Sequence, residues 1–349
     1  MNWEIIQITK ECGGEKVYAQ APMIISASRS TDIPAFYADW FFRRMEIGYS
    51  AWTNPFNGVR SFVSYDNTHF VVFWSKNPRP LIKHLDYLDA RRIGTYIQYS
   101  LNNYEADGLE RGVPPLQYRV DTFRMLVDRL GVGSVVWRFD PMILTENIRP
   151  DDLLARVENI GDQLKGYTEK LVFSYADIAA YRRVKANLER SNIPYHEWTI
   201  PEMDLFAKEL DRMNGKWGFT LATCGEKIDL SKYHISHNKC IDDDLIIRRA
   251  YEDASLMKFL GVRILDSGLF GEPEGAISLP NGQYAVKTKN NKDTGQRPFC
   301  GCVASKDIGE YNTCAHQCEY CYANSSKEGA IANLKRHKEN PFSETITGF

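Results

Sequence analysis

Short apolar runs alternate with longer stretches in which apolar positions recur every three or four residues. This continues from about residue 23 to residue 223. Residues 23–28 (MIISAS), 69–75 (HFVVFWS), 95–101, 134–139, 170–175 and 217–223 predict strands, and 49–53 and 195–198 predict weaker ones. Between them, 34–46, a segment opened by Pro78 and Pro80, 117–130, 151–165, 177–190 and 201–213 predict helices. In 117–130, for example, Val120, Phe123, Leu126, Val127 and Leu130 fall on one face. Strands separated by helical crossovers pair in parallel. About eight such units over about 200 residues predict an α/β protein built on a closed TIM-like (β/α) barrel. An open doubly wound sheet is the rival, but no glycine-rich phosphate loop follows the first strand.

After residue 223 the pattern changes. A helix is predicted over 243–260, 268–295 reads as turn-rich and polar, and a last helix is predicted over 330–338. The expected organisation is a barrel over 1–223, a helix and irregular extension over 224–299, and a cysteine-rich tail over 300–349 docked on the C-terminal face of the strands. With 43 Lys+Arg against 45 Asp+Glu, no overall field favours nucleic acid or an anionic membrane. The start lacks the basic and apolar regions of a secretory leader, and nowhere do about 18 apolar residues run together. These features predict a cytoplasmic protein with no membrane contact. Five of the eight cysteines fall within 300–321, and in a reducing compartment such crowding points to metal rather than to disulfides.

The densest chemistry is in residues 311–324, YNTCAHQCEYCYAN. Thiolates at Cys314, Cys318 and Cys321 suit a 4Fe-4S cluster, because one compact loop presents three soft ligands to three irons and leaves the fourth iron open. The alternatives are a zinc knuckle completed by His316 or a distant cysteine, and an electron-carrying cluster with a remote fourth thiolate. The C-x3-C-x-aromatic-C spacing, with Tyr320 before the last cysteine, resembles the signature of the radical S-adenosylmethionine (SAM) superfamily. The wider string, with His316 and Tyr320-Cys321-Tyr322-Ala323, is similar to the spore photoproduct lyase branch. The resemblance implies that Cys314, Cys318 and Cys321 hold the cluster, that SAM chelates the open iron, and that Tyr320 packs near the adenine. In the superfamily this loop follows the first barrel strand near the N-terminus, whereas here it lies near the C-terminus. That placement resembles an uncharacterised bacterial family described by a C-terminal cysteine cluster like that of radical SAM proteins, and the resemblance spans most of the chain. Residues 303–308 then read either as the strand feeding the loop, in a circularly permuted arrangement, or as part of a tail capping an independent barrel. Gly13-Gly14-Glu15 matches a SAM-binding tripeptide only by coincidence, since it precedes the first strand.

Cys224, Cys240, Cys300 and Cys302 supply the four thiolates of a second centre, either a second 4Fe-4S cluster or zinc. Cys12 reads as a structural or surface thiol. Arg29, Asp32, Lys76, Arg138 and Asp140 fall at the C-terminal ends of predicted strands, where barrels build their sites, and are the candidate catalytic residues. Arg29, Lys76 and Arg138 would suit an anion such as the carboxylate of SAM or a substrate phosphate, and Arg-Asp pairs bracing the strands are the structural alternative. His234 and His237 read as solvated, Asp242-Asp243-Asp244 as a helix start, and the Arg43-Arg44 and Arg248-Arg249 pairs as solvent-facing. The functional expectation is an oxygen-sensitive radical SAM-type enzyme acting on a small molecule or a nucleic acid, with an electron donor such as flavodoxin or ferredoxin. The alternative is a non-catalytic iron-sulfur or zinc protein for electron transfer or nucleic-acid binding.

Overall fold

The crossover pattern puts short strands side by side in parallel, and this holds throughout the main sheet. The structure, a computed structural model, describes residues 3–54, 57–266 and 273–348. Eight strands form the sheet: β1 Ile24–Ala27, β2 Phe70–Ser75, β3 Gly94–Ser100, β4 Val135–Met142, β5 Lys170–Tyr175, β6 Thr220–Thr223, β7 Ile235–His237 and β8 Lys306–Asp307. Their order is β7-β6-β5-β4-β3-β2-β1-β8, and every neighbouring pair is parallel.

The closed TIM-like barrel expected from the sequence is thereby corrected to an open parallel sheet. The order ends at β7 on one side and at β8 on the other, and among the described residues no pairing joins these edges. Both weak strands counted toward closure go elsewhere. Tyr49–Thr53 pairs antiparallel with nearby Arg60–Ser64, in a four-stranded sheet with the hairpin Glu4–Thr9 and Lys16–Ala21. A hairpin partner ten residues away closes a short loop, which costs less chain entropy than a crossover. Tyr195–His196 forms only a two-residue ribbon with Leu144–Thr145. The edge positions fall instead to β7 and β8, which are short and carry no hydrophobic run.

Both faces of the sheet are covered, as a parallel sheet requires. On one face Val71, Phe73, Ile97, Tyr99, Trp137 and Phe173 enter the core shared with the crossover helices. On the other, Ile24, Phe70, Val72, Tyr96, Val136 and Val172 pack on Leu245, Ile246, Leu256 and Leu260. These come from helices Asp243–Ala250 and Ala254–Leu260, so the single helix predicted over 243–260 is broken, with Asp253 capping the second piece. The extension therefore fills the space that a barrel would have kept for its own interior. The segment read as turn-rich, 268–295, includes 268–272, which lie outside the described residues. Beyond them Ile277–Ser278 and Tyr284–Lys287 join Val262–Leu265 in a small sheet.

Period-two alternation now decides what faces the extension. Along β2 the series is Phe70, Val72, Trp74; along β3 Tyr96, Gln98; along β4 Val136, Arg138, Asp140; along β5 Val172, Ser174. The series along β3, β4 and β5 begin apolar and end polar, and that along β2 ends on the Trp74 indole, so one face of the sheet carries a polar cup beside Trp74 at its C-terminal ends. The tail is stitched to that end. β8 pairs with β1, Asp307 accepts from Ser26 Oγ at 2.9 Å and from Arg29 N at 2.8 Å, and Tyr37 Oη donates to Thr313 O at 2.6 Å. A Cβ on Gly309 would lie 1.8 Å from Ser28 Oγ, so only glycine permits this approach. Residues 311–324 follow β8 directly. Gly13 and Gly14 form the hairpin turn, with φ of 82° and 64°. No helix among the described residues is long and apolar enough to cross a membrane.

Candidate functional site

The loop 311–324 is held by backbone contacts on several sides. Cys318 bridges Glu110 antiparallel, Glu319 N donates to Leu109 O at 3.0 Å, and Gly112 N donates to His316 O at 2.9 Å. A Cβ on Gly112 would sit 2.7 Å from His316 O, so the strap over the loop needs glycine there. On the far side Asn187 Nδ2 donates to Cys321 O at 3.1 Å, and the buried Glu319 takes Ser191 Oγ at 2.5 Å and Lys327 Nζ at 2.5 Å. The loop thus docks before any metal is considered.

Cys314, Cys318 and Cys321 are all unpaired. Burial is the main cause that raises each thiol, and Cys314 also feels Asp32, Cys321 and Cys318. Acting the other way, His316 N donates to Cys314, and Ala323 N and Asn324 N donate to Cys321, the last at 3.4 Å. The Lys76 ammonium likewise favours the Cys318 thiolate. Such donors stabilise sulfur ligands, and a bound metal would deprotonate thiols that burial alone keeps neutral.

His316 itself is committed elsewhere. Its Nε2 lies 2.7 Å from Asp32 Oδ2 and its Nδ1 3.1 Å from Gly112 O, with the ring against Phe36 at 4.7 Å. Asp32 also accepts from Ser75 Oγ and Lys76 N, both at 2.7 Å, and caps its helix through Ala35 N at 2.9 Å. Burial would raise the Asp32 carboxyl, but His316, Ser75 and Lys76 outweigh it and hold it below the ordinary range. A second buried knot lies beside Cys318. Lys76 Nζ donates to Glu110 Oε1 at 2.7 Å and to Tyr320 Oη at 2.8 Å, Tyr320 Oη donates to Glu110, and Asn102 Nδ2 reaches Tyr320 Oη at 3.1 Å. The phenol of Tyr320, expected near an adenine, is directed into this knot.

The other four cysteines also converge. Cys224 and Cys240 place their sulfurs 3.4 Å apart, and Cys302 Sγ accepts from Cys240 N at 3.2 Å and Ile241 N at 3.3 Å. Cys300 stands two residues before Cys302, whose sulfur and backbone draw the Cys300 thiol down to about 6. Cys240 further receives Arg138 Nη1 at 3.0 Å and Asn238 Nδ2 at 3.2 Å. Hydrogen bonds from Cys224 and Cys302, with Arg138 beside them, draw Cys240 well below an ordinary thiol, whereas Cys224 is pushed up.

All five candidate catalytic residues stand at the C-terminal ends of strands, but their pairings are their own. Arg138 pairs with Asp140, which Ser174 also contacts, and Asp32 pairs with His316. Of the three cations read as facing an anion, Lys76 and Arg138 are saturated by the chain. The Arg29 guanidinium makes no hydrogen bond or ion pair among the described residues, and its Nη2 is buried. Glu110, Asn102 and Trp74 escaped the sequence reading because nothing local marks them: Lys76 reaches Glu110 over 34 positions, Tyr320 reaches Glu110 and Asn102 over more than 200, and Trp74 meets Arg29 after β1 and Arg138 on β4. His234 and His237 are exposed, and Asp242 is an N-cap as expected, with Asp243 and Asp244 held by Lys239 and Lys287. Arg44, read as solvent-facing, is fully buried and donates to Tyr49 O at 2.8 Å.

The family described as Domain of unknown function (DUF1848) matches residues 24–323. That span runs from β1 through the cysteine loop and takes in both cysteine groups, leaving out Cys12. No curated protein matches the chain.

Proposed function

The chain belongs to the DUF1848 family, and we propose that it is a radical SAM-type enzyme in which Cys314, Cys318 and Cys321 hold a 4Fe-4S cluster open to SAM at its fourth iron. The observation that carries this reading is the engagement of His316. The one histidine inside the loop turns both ring nitrogens to Asp32 and Gly112, so the loop offers three thiols and no fourth ligand of its own. A zinc site argues for the opposite arrangement, because tetrahedral zinc at about 2.3 Å from sulfur needs ligands only about 3.8 Å apart and a closed set of four. Among the described residues no three thiols lie within 4.8 Å of one another. That spread suits a larger core.

Such a cluster, if bound, would pass one electron to SAM, breaking its S–C5' bond into methionine and a 5'-deoxyadenosyl radical able to take hydrogen from a substrate. The chain's own residues position and shield. Asp32 and His316 fasten the loop to β1 and β2, Lys76 sets a positive charge beside Cys318, and Glu110, Asn102 and Tyr320 keep that ammonium in place. The substrate, a small molecule or a nucleic acid, would enter the polar cup beside the loop, and a flavodoxin or ferredoxin would supply electrons. Eight unpaired thiols favour a reducing, cytoplasmic setting.

The test is anaerobic reconstitution. SAM is expected to alter the electron paramagnetic resonance spectrum of the dithionite-reduced protein and to yield 5'-deoxyadenosine. A spectrum indifferent to SAM, or a preparation that retains zinc and refuses iron, would overturn the proposal in favour of a non-catalytic metal protein.

A further inference from the structure

We propose that Cys224, Cys240, Cys300 and Cys302 hold a second, closed iron-sulfur centre whose counter-charges are Arg29 and Arg138. This goes beyond the SAM reading and stands or falls without it.

The first ground is convergence. Cys224 follows β6, Cys240 follows β7, and Cys300-Gly301-Cys302 lies on the approach to β8, yet Cys224 Sγ lies 3.4 Å from Cys240 Sγ and Cys302 Sγ accepts from Cys240 N at 3.2 Å, with Cys300 two residues before it. Backbone contacts hold the segments together: Val303 N donates to Ile241 O at 3.0 Å, Asn238 N to Thr223 O at 2.8 Å and Cys224 N to Phe173 O at 2.8 Å. Four thiols are a full ligand set for an iron-sulfur cluster, with no corner left for an outside molecule. No three of these sulfurs lie within 4.8 Å of one another among the described residues, so the set as it stands is not closed around a single ion.

The second ground is charge. The Arg29 guanidinium is without a hydrogen bond or ion pair, and its neighbour Asp307 is already engaged by Ser26 Oγ, Arg29 N and Gly309 N. Arg29 and Arg138 both lie over the Trp74 indole, 5.5 and 5.1 Å from its centre, and Arg138 also donates to Cys240 Sγ. Asp307 attracts the Arg29 guanidinium and Asp140 pairs with Arg138, and Cys302 and Cys240 add to the attraction on Arg29 when they are thiolates. Four thiolates around an iron-sulfur core would carry net negative charge, and the two guanidinium groups beside the cysteines are placed to offset it.

The experiment compares iron and sulfide content after anaerobic reconstitution of the full chain, of a C314A/C318A/C321A variant and of a C300S/C302S variant. About eight irons are expected in the unaltered chain and about four in each variant. The signal of the first variant should be indifferent to SAM. No iron in C314A/C318A/C321A, zinc in its place, or unchanged iron in C300S/C302S would overturn the second centre. Should the triple variant fail to fold, Arg29→Gln in the intact chain gives a separate readout: loss of the cation should make the second centre harder to reduce, and an unmoved potential would count against the assignment. Eight irons without 5'-deoxyadenosine would sink the SAM reading and leave this centre standing.

Discussion

The two cysteine groups are built in opposite ways. Cys314, Cys318 and Cys321 come from one short loop whose own backbone sets their spacing, and its histidine is turned away to Asp32 and Gly112. Cys224, Cys240, Cys300 and Cys302 are assembled from separate segments and meet because the segment after β7 is hydrogen-bonded to the one that approaches β8, Val303 N donating to Ile241 O at 3.0 Å. A local loop can leave a coordination position vacant, because its shape does not depend on the metal being complete. A non-local set that draws distant segments together gains most from closing, since the cross-link then restrains a long stretch of chain. On the reading proposed above, the first group would be a working site and the second a staple.

The comparison breaks most severely at Cys318. Cys318→Ala is expected to bring SAM cleavage to background while the iron held by the other group persists, as followed by 5'-deoxyadenosine and iron assays. Asp32→Ala should cost about 3–5 kcal/mol in urea unfolding, because it leaves His316, Ser75 and Lys76 N facing a buried gap where a carboxylate had joined them. Tyr320→Phe should cost about 1–3 kcal/mol by the same measurement, since Lys76, Glu110 and Asn102 lose a shared partner.

A pH series sharpens the point. The folded Asp32 carboxyl lies below its ordinary value of 3.8, so its contribution is complete above that value and is lost as pH falls through the folded pKa. Below about pH 4 the unaltered chain should therefore lose stability at up to about 1.4 kcal/mol per pH unit more steeply than Asp32→Asn, as read from melts between pH 3 and 6. The smallest effect belongs to Cys12→Ser. This exposed thiol lies outside both groups, and iron content and melting temperature should not change.

Local signals were legible where one element decides the outcome. The strand at 170–175 is observed with those bounds, and the helices predicted over 117–130, 151–165 and 201–213 appear within a residue at each end. The three-cysteine loop was readable because its spacing lies within eight consecutive residues. The barrel was misread because Tyr49–Thr53 carries the same hydrophobic signal whichever sheet it joins, and the choice went to its hairpin partner at Arg60–Ser64. β8 lies within 303–308, one reading of which is the strand feeding the loop: it is only two residues long, Lys306 and Asp307, and these polar residues pair with the edge of β1, which offers unpaired backbone groups.

The sequence by itself determined the parallel strand-and-helix grammar, the three-cysteine loop and the polar residues that end the strands, because each depends on neighbours within a few positions. Only the tertiary structure decided that the sheet stays open, that His316 answers to Asp32 rather than to its adjacent thiols, that Glu110 and Lys76 lock Tyr320, and that the Arg29 guanidinium lies over Trp74 with Asp307 near it. These outcomes depend on which distant groups arrive beside one another once water is excluded, and a buried charge or hydrogen-bonding group takes the best partner that the packing brings within reach.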